Sequence, residues 1–210
     1  MESPGAHLRI LFTNIVLHAR TGTEILTRDL AFEMKRRGHE CQIYTHAMGP
    51  IAQWLIGEGI PVTDDIARIE GPIDIIHGNH TTVAGIAAAR FPRTPAIFVC
   101  HDIENWYDTP PRLPNFLQYV AIGPTAAHRL IGQDIPRERL TIIPNGVDQK
   151  RFRPGPPLPP KCRTALAFCK TRELIAPIRR ACRKARIRVD FVGYGARRPT
   201  EEPEKLMPQL

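Results

Sequence analysis

The chain has 210 residues, of which 42% are apolar and 24% charged, and its 29 Lys and Arg against 21 Asp and Glu give a net charge of +8. This composition is typical of a globular protein and excludes a wholly disordered chain. No apolar run approaches the roughly 20 residues of a transmembrane helix. The five scattered cysteines include no Cys-x-x-Cys pair, which excludes a disulfide scaffold. Because the N-terminus also lacks a signal-peptide pattern, we expect a cytoplasmic protein.

The first 150 residues alternate short apolar runs with amphipathic helical segments. Strands that alternate with helices, and that read as continuous apolar runs, predict an α/β fold in which helices cover both faces of a parallel sheet. Trp54 has helical spacing from apolar neighbours, and we predict that it lies in the core. The predicted strands are Leu8–Thr13, Cys41–Thr45, Ile60–Thr63, Ile73–His77, Pro95–Cys100, Tyr119–Ile122 and Leu140–Ile143, and the predicted helices are Glu24–Arg37, Ile51–Gly57, Thr81–Arg90 and Thr125–Ile131.

Proline is concentrated after this region. Five of the 21 prolines fall between Pro154 and Pro160, a stretch that favours a stiff extended spacer. A strand over Thr164–Cys169, a helix over Thr171–Ala185 and a strand over Ile187–Val192 are predicted to follow it. We therefore predict a first domain at 1–150, a Pro-rich linker at 151–163 and an incomplete second domain at 164–210.

Ligands of parallel α/β sheets bind beyond the carboxyl ends of the strands, so the polar residues found there are the candidate site. These residues are Thr21 to Glu24, His77 to His80, His101 with Asp102, and Asn145 with Gly146.

Several of these segments, taken in order, resemble the acceptor-side lobe of the family 4 glycosyltransferases. Gly22-Thr-Glu24 opens the first helix, where the family has two glycines, one other residue and a glutamate; Thr21 stands in place of the first glycine. Ile73-Asp-Ile-Ile-His-Gly-Asn-His80 is similar to a family strand that ends in His-x-His, although here the two histidines are three residues apart. Val99-Cys-His-Asp102 matches a Thr-x-His-Asp strand end, and Ile142 to Phe152 is close to the signature between the two lobes.

The resemblance implies a GT-B fold, with a Rossmann-like first lobe and a Rossmann-like second lobe that is only begun. It implies transfer of a sugar from a nucleotide sugar to an acceptor hydroxyl with retention, without a metal or other cofactor. The acceptor would be a glycan, a lipid or a small molecule. The resemblance implies a catalytic role for His101 and donor or acceptor binding by Gly22, Thr23, Glu24, Asn79, His80 and Asp102.

The sequence of the second lobe departs from the family's sequence pattern. Lys170 and Arg172 lie near the place of the family's donor-site arginine and lysine, and Val192-Gly-Tyr-Gly195 is similar to a donor-lobe turn. The family's glutamate pair would fall beyond residue 210. We therefore expect that the chain lacks most of the donor site and shows little or no transferase activity by itself.

Each candidate residue also has an alternative interpretation. Thr23 or Thr21 at the first loop can cap a helix instead of holding a diphosphate. The neutral imidazole of His101 can hydrogen-bond a sugar hydroxyl, steady the departing phosphate or cap a strand end. Trp106 and Tyr107 can stack on an acceptor sugar or pack within their own loop.

Two chemical alternatives use the same strand ends. His77, His80 and His101, with Asp102, can ligate a metal in a hydrolase, although hydrogen-bonded histidines at strand ends are the more ordinary explanation and no further carboxylate or thiol completes the set. Cys100 beside His101 resembles a thiol–imidazole dyad, but neighbours in a strand point to opposite faces, which favours Cys100 as a core residue. A non-catalytic sugar- or partner-binding lobe is the third alternative.

The positive charge lies near the end of the chain. Residues 150–210 carry 16 basic and 5 acidic side chains, and six of the ten residues in 179–188 are basic. Leu174, Ile178 and Cys182 form an apolar stripe, which places most of these charges on a solvated face. Without a nucleic-acid-binding motif we expect no specific nucleic acid partner, whereas peripheral contact with an anionic membrane at its inner face is compatible with this charge.

Overall fold

The computed structural model describes residues 6–18, 22–149, 152–155, 157, 160–169 and 172–192. The chain divides into two compact units, Met1–Gly146 and Val147–Leu210. The strands of the first unit are Arg9–Leu17 (β1), Glu40–Met48 (β2), Val62–Thr63 (β3), Ile75–Asn79 (β4), Ala96–Cys100 (β5), Phe116–Ala121 (β6) and Leu140–Ile142 (β7). Its helices are Gly22–Arg36 (α1), Pro50–Gly57 (α2), Thr81–Arg90 (α3) and Pro124–Gly132 (α4), and single 3-10 turns lie at Ile66–Arg68, Trp106–Asp108 and Arg137–Arg139.

The seven strands form one parallel sheet in the order β3-β2-β1-β4-β5-β6-β7. The chain therefore builds outward from β1 in one direction and then from β4 in the other. The carboxyl ends of β1 and β4 form the topological switch point, where open α/β sheets bind ligands. The predicted parallel α/β sheet is confirmed.

Apolar residues fill both faces of the sheet, as expected for parallel strands that are covered on both sides. Leu11, Ile76 and Phe98 pack in one cluster with buried alanines of α3 and α4. Phe12 and Ile43 pack in the other cluster with residues of α1 and α2. Each of these side chains, removed from water, contributes about 1.5–3 kcal/mol to folding.

Local signals account for the ends of α1. Lys35 and Arg36 lie in its last turn, where cations interact favourably with the helix dipole. Gly38 follows at φ +91°, a conformation that glycine adopts without a steric penalty. The sequence predicts this helix to within two residues at its start and one at its end.

The predicted core position of Trp54 is wrong. Its side chain is 41% exposed, whereas Ile51, Ala52 and Leu55 form the buried face of α2. Trp54 lies at the edge of that face, where its ring contacts Phe32 of α1 at 5.4 Å between centroids. The guanidinium of Arg28 lies 5.4 Å from the centre of the indole.

The described part of the second unit contains two parallel strands, Thr164–Phe168 (β8) and Arg188–Val192 (β9), joined through the helix Ile175–Lys184 (α5). A 3-10 turn at Arg172–Leu174 precedes the helix. No described helix of either unit has the length and apolar character needed to cross a membrane.

Candidate functional site

A buried polar cluster occupies the switch point between β1 and β4. Asn79, the last residue of β4, is 2% exposed. Its side-chain Nδ2 donates to the backbone oxygen of Thr13 at 3.0 Å and to Oγ1 of Thr27 at 3.2 Å. Its backbone N–H donates to Oγ1 of Thr13 at 3.1 Å, and that hydroxyl donates to the backbone oxygen of Asn79 at 3.0 Å. Thr13, in the middle of β1, and Asn79, at the end of β4, thus tie the two central strands together.

The hydroxyl of Thr27 links this cluster to the first turn of α1. It donates to the backbone oxygen of Thr23 at 2.8 Å, so its lone pairs accept from Nδ2 of Asn14 at 2.8 Å and from Nδ2 of Asn79. Asn14 also donates to the oxygen of Thr23 at 3.0 Å. Its Oδ1 is buried and has no hydrogen-bond partner among the described residues. A buried acceptor in that state costs about 1–3 kcal/mol.

His101 follows β5 and is held at two points. Its backbone N–H donates to Oδ1 of Asp108 at 2.6 Å, and its ring Nε2 lies 2.9 Å from Oδ1 of Asn79. Burial, together with the smaller effect of the nearby His80 and His77, lowers the pKa of His101 to about 4. The imidazole is therefore neutral at neutral pH.

His80 lies beside β1 and is also neutral. Its Nδ1 accepts a hydrogen bond from the backbone N–H of Ile15 at 3.2 Å, and burial lowers its pKa to about 4. The backbone of His80 has φ 62° and ψ 123°, a strained conformation for a residue with a side chain. The ring of Tyr107 meets the imidazole edge-on, with 6.0 Å between centroids.

The loop after His101 is held in place by hydrogen bonds to Asp102 within the loop and from Arg129 on α4. Oδ1 of Asp102 accepts the backbone N–H groups of Glu104 at 2.7 Å and Asn105 at 3.1 Å. Arg129 of α4 donates from Nη1 to the backbone oxygen of Asp102 at 2.6 Å and from Nη2 to that of Asn105 at 2.7 Å. This clamp fixes the path of the chain from His101 to the aromatic turn.

Trp106 and Tyr107 lie in that turn, with their ring centroids 4.0 Å apart. Trp106 is 60% exposed, and Tyr107 is half-buried against His80. The two rings pack against each other, and the indole also presents an exposed face to solvent; stacking on an acceptor sugar stays a prediction.

The first turn of α1 contains the remaining predicted residues. Gly22 is exposed, and a Cβ added there meets no atom within 4 Å. The backbone oxygen of Thr23 belongs to the Asn14–Thr27 cluster, and Glu24 is buried at 1% exposure. The preceding Thr21 lies outside the described residues.

The geometry gives little support to a metal-dependent hydrolase or to a thiol–imidazole dyad. In the described part of the chain no three His, Cys, Asp or Glu side chains converge as metal ligands. His77 packs its ring on Phe12 at 5.0 Å, and burial lowers its pKa to about 4. Cys100 is fully buried, its Sγ donates to the oxygen of Asp102 at 3.4 Å, and burial raises its pKa to about 11. A thiol with that pKa is not a thiolate nucleophile at neutral pH.

The basic helix α5 belongs to the second unit and differs in detail from the predicted pattern. Ile178 and Cys182 are half-buried as expected, but Leu174 is exposed because it lies in the 3-10 turn before the helix. The guanidinium of Arg179 lies 5.3 Å from the ring centre of Phe191 on β9. Arg172 is exposed, whereas Lys170 and the turn at 193–195 lie outside the described residues.

The structure thus brings together Asn79, His80, His101 and Tyr107 with the first turn of α1. The sequence interpretation missed Thr13, Asn14, Thr27, Asp108 and Arg129. Two signals were available for some of them: Thr13 and Asn14 are polar residues at the end of the predicted apolar strand, and Asp108 is an acidic residue that follows two aromatic residues and lies two residues before a Pro-Pro pair.

A known protein family matches the region of the chain that contains the candidate site. Residues 20–151 match the family model described as Glycosyltransferase Family 4. The chain belongs to glycosyltransferase family 4. The matched region includes every predicted site residue of the first unit and spans more than half of the chain.

Solved structures of similar fold include glycosyltransferases and UDP-N-acetylglucosamine 2-epimerases. HepE from Anabaena, in complex with UDP and glucose, superposes with a TM-score of 0.65 at 16% identity, over 97% of this chain and 64% of its own. A glycosyltransferase from Rickettsia africae gives a TM-score of 0.65 at 15% identity, over 96% and 64%. The lipopolysaccharide outer core galactosyltransferase WaaB gives 0.65 at 12% identity, over 96% and 71%. These likenesses identify the GT-B fold, and the chain spans about two thirds of the neighbours' length. No curated protein matches the chain in sequence.

Proposed function

We propose that the chain is the acceptor-side lobe and the beginning of the donor lobe of a retaining hexosyltransferase that moves a sugar from a nucleotide sugar to an acceptor hydroxyl. The observation that carries the proposal is the polar cluster at the switch point, in which two neutral histidines stand beside the start of a long helix. The HepE structures contain UDP, glucose or UDP-glucose, which supports a nucleotide sugar as donor.

The roles follow from the chemistry of each group. The first amides of α1, at Gly22, Thr23 and Glu24, supply partial positive charge that suits a diphosphate. Sugar departure is then assisted mainly by stabilisation of the leaving diphosphate. His101 is the catalytic residue of this lobe and contacts the transferred sugar.

The acceptor enters from the side of His80 and His101. Asn79, His80 and Asp102 shape this entrance, and Trp106 with Tyr107 provides an aromatic face on which an acceptor sugar can stack. The reaction needs no cofactor other than the nucleotide sugar. The acceptor is a glycan, a lipid or a small molecule.

We further propose that residues 1–150 form the acceptor-side domain, 151–163 the linker and 164–210 the start of the donor domain. The protein works in the cytoplasm, and the basic residues of 179–188 favour peripheral contact with an anionic membrane surface. Turnover belongs to a longer protein of the neighbours' length, and the 210 residues by themselves show little or none.

Binding of UDP-glucose by the 210-residue chain tests the proposal without requiring turnover. We expect the backbone amide NMR signals of Gly22 to Glu24 and of His101 to shift on titration. His101→Gln is expected to weaken the affinity two- to tenfold, because one hydrogen bond contributes about 0.5–1.5 kcal/mol. His128→Gln is the matched control, because His128 is exposed on α4.

Equal affinity of the two variants would remove His101 from the site. An absence of shifts at both segments would contradict the proposed contact of this lobe with the nucleotide sugar.

A further inference from the structure

The hydrogen bonds of Asn79 determine which way its amide faces. The backbone oxygen of Thr13 can only accept a hydrogen bond, so the atom 3.0 Å from it must be the amide nitrogen of Asn79. The second hydrogen of that nitrogen goes to Thr27, whose own hydrogen is engaged by Thr23. Both amide hydrogens are therefore used inside the cluster, and Oδ1 of Asn79 faces His101.

The tautomer of His101 follows from this orientation. Oδ1 of Asn79 is an acceptor without a hydrogen, so the ring nitrogen 2.9 Å away must carry one. Because the imidazole is neutral, the hydrogen on Nε2 leaves a lone pair on Nδ1. Among the described residues nothing hydrogen-bonds Nδ1, and this atom is not shut off from solvent.

The neighbouring His80 has its hydrogen on the same nitrogen, but its other ring nitrogen is the engaged one. His80 accepts the backbone N–H of Ile15 at Nδ1, so its hydrogen lies on Nε2 and its unused nitrogen is a donor. The two rings together therefore offer one acceptor and one donor. A hydroxyl group both donates and accepts and therefore matches either nitrogen, whereas a phosphate oxygen accepts hydrogen bonds and has nothing to give to Nδ1 of His101.

We propose that Asn79 is a positioning residue that holds His101 as the Nε2–H tautomer, so that Nδ1 of His101 accepts a hydrogen bond from a sugar hydroxyl of the substrate. The hydroxyl part rests on the proposed function, whereas the tautomer does not. Asn79 itself is 2% exposed and acts through His101.

Long-range proton–nitrogen NMR of the labelled 210-residue chain at pH 7 reads the tautomer directly. We expect His101 to show the Nε2–H pattern, with an Nε2 proton protected from exchange with water. Asn79→Leu removes the acceptor, so the protected proton should disappear and the Nδ1–H tautomer should become detectable. A wild-type His101 in the Nδ1–H form, or an unchanged Nε2 proton in Asn79→Leu, would overturn the proposal.

Two further variants separate positioning from general destabilisation. Asn115→Leu is the matched control, because Asn115 is also buried and donates to the oxygens of Ala88, Phe91 and Thr94, at the far end of the sheet. It should lower stability and leave the His101 signals unchanged. Asn79→Asp keeps the acceptor and adds negative charge, so the pKa of His101 should rise above 4 while the Nε2 hydrogen stays; an unchanged pKa would contradict the contact.

The proposed hydrogen bond from a sugar hydroxyl to His101 is tested separately, by the nitrogen chemical shift of Nδ1 of His101. We expect UDP-glucose to move this shift and UDP at the same concentration to leave it in place. Equal movement with UDP would overturn the assignment to a sugar hydroxyl. Movement with neither probe, in a chain that shows the Nε2–H tautomer, would contradict the proposed function and leave the positioning role of Asn79 standing.

Discussion

At the scale of single residues, His80 combines a strained backbone with a buried and engaged side chain. Its φ of 62° lies in the region that glycine adopts freely, and a residue held there costs about 1–3 kcal/mol. The strain is retained because the same residue ends the loop after β4 and presents its ring to Ile15. The backbone at position 80 therefore lowers the stability of the fold but places an imidazole at the switch point.

Two substitutions of His80 test whether its backbone conformation costs stability. His80→Gly should be about 1 kcal/mol more stable than His80→Ala, because both lose the imidazole but only alanine keeps the strain. Urea unfolding of the two variants gives the difference. At a loop position without strain, an alanine variant is more stable than a glycine variant. A His80→Ala variant more stable than His80→Gly would therefore mean that the backbone at position 80 is not strained in solution.

The three neutral histidines make stability depend on pH. The folded-state pKa values of His77, His80 and His101 are about 4, below the ordinary value of about 6.5. Between these values the unfolded chain binds more protons than the folded one, so the free energy of unfolding falls as the pH is lowered from 6.5 to 4.

His101→Gln should flatten this dependence by at most about 1.4 kcal/mol per pH unit. Urea titrations at several pH values from 4 to 7 measure the slope, and the exposed His128→Gln serves as control. An identical slope in wild type and His101→Gln would show that His101 titrates as a solvated group.

At the scale of elements, the close packing of β4 against α3 depends on a glycine. A Cβ added at Gly78 would lie 2.9 Å from Cβ of Ala84 on α3 and 3.0 Å from the backbone oxygen of Ile97 on β5. The absence of a side chain at this position lets the strand and the helix approach. The small residues of α3 have the same role on the helix side.

Gly78→Ala is therefore expected to destabilise the protein by about 1–3 kcal/mol, the usual cost of overpacking. Gly85→Ala is the matched control in α3, where a Cβ meets no atom within 4 Å, and it should stabilise by about 0.5–1 kcal/mol through helix propensity. Thermal melts of both variants measure whether each is less or more stable than the wild type. Equal effects would mean that the sheet and α3 separate easily at this point.

The element scale also shows how far a sequence can be interpreted. The existence and order of the strands and helices of the first unit follow from their periodicity, and the location of His80 and His101 beyond strand ends follows from parallel topology. The partners of Asn79 do not follow, because Thr13 is 66 residues and Thr27 52 residues away and only strand pairing brings them together. Strand β1 runs to Leu17 instead of ending at Thr13, which places Asn14 inside the sheet. The binding roles of these residues stay predictions.

At the scale of the whole molecule, the two units differ in how much core they contain. Both apolar clusters consist of residues of the first unit. In the described part of the second unit, only Cys169 and Val192 are buried apolar residues. One pair of strands and one helix rarely form a stable domain on their own.

We therefore expect a fragment of residues 1–146 to unfold cooperatively, with a free energy within about 1 kcal/mol of that of the same region in the full chain, and a fragment of residues 147–210 to show no cooperative transition. Circular dichroism during urea titration measures both. A first unit that loses its transition after truncation would show that residues beyond 146 complete its core.

The exposed aromatic turn has an optical consequence. The chain contains two tryptophans, Trp54 on α2 and Trp106 at the candidate site. In a Trp54→Phe variant all tryptophan fluorescence would come from Trp106, which stacks on Tyr107 and is open to quenchers dissolved in the water. A sugar that binds against the indole, as proposed above, would shield it from these quenchers, so the quenching of Trp106 in this variant would report acceptor binding without a label and without turnover.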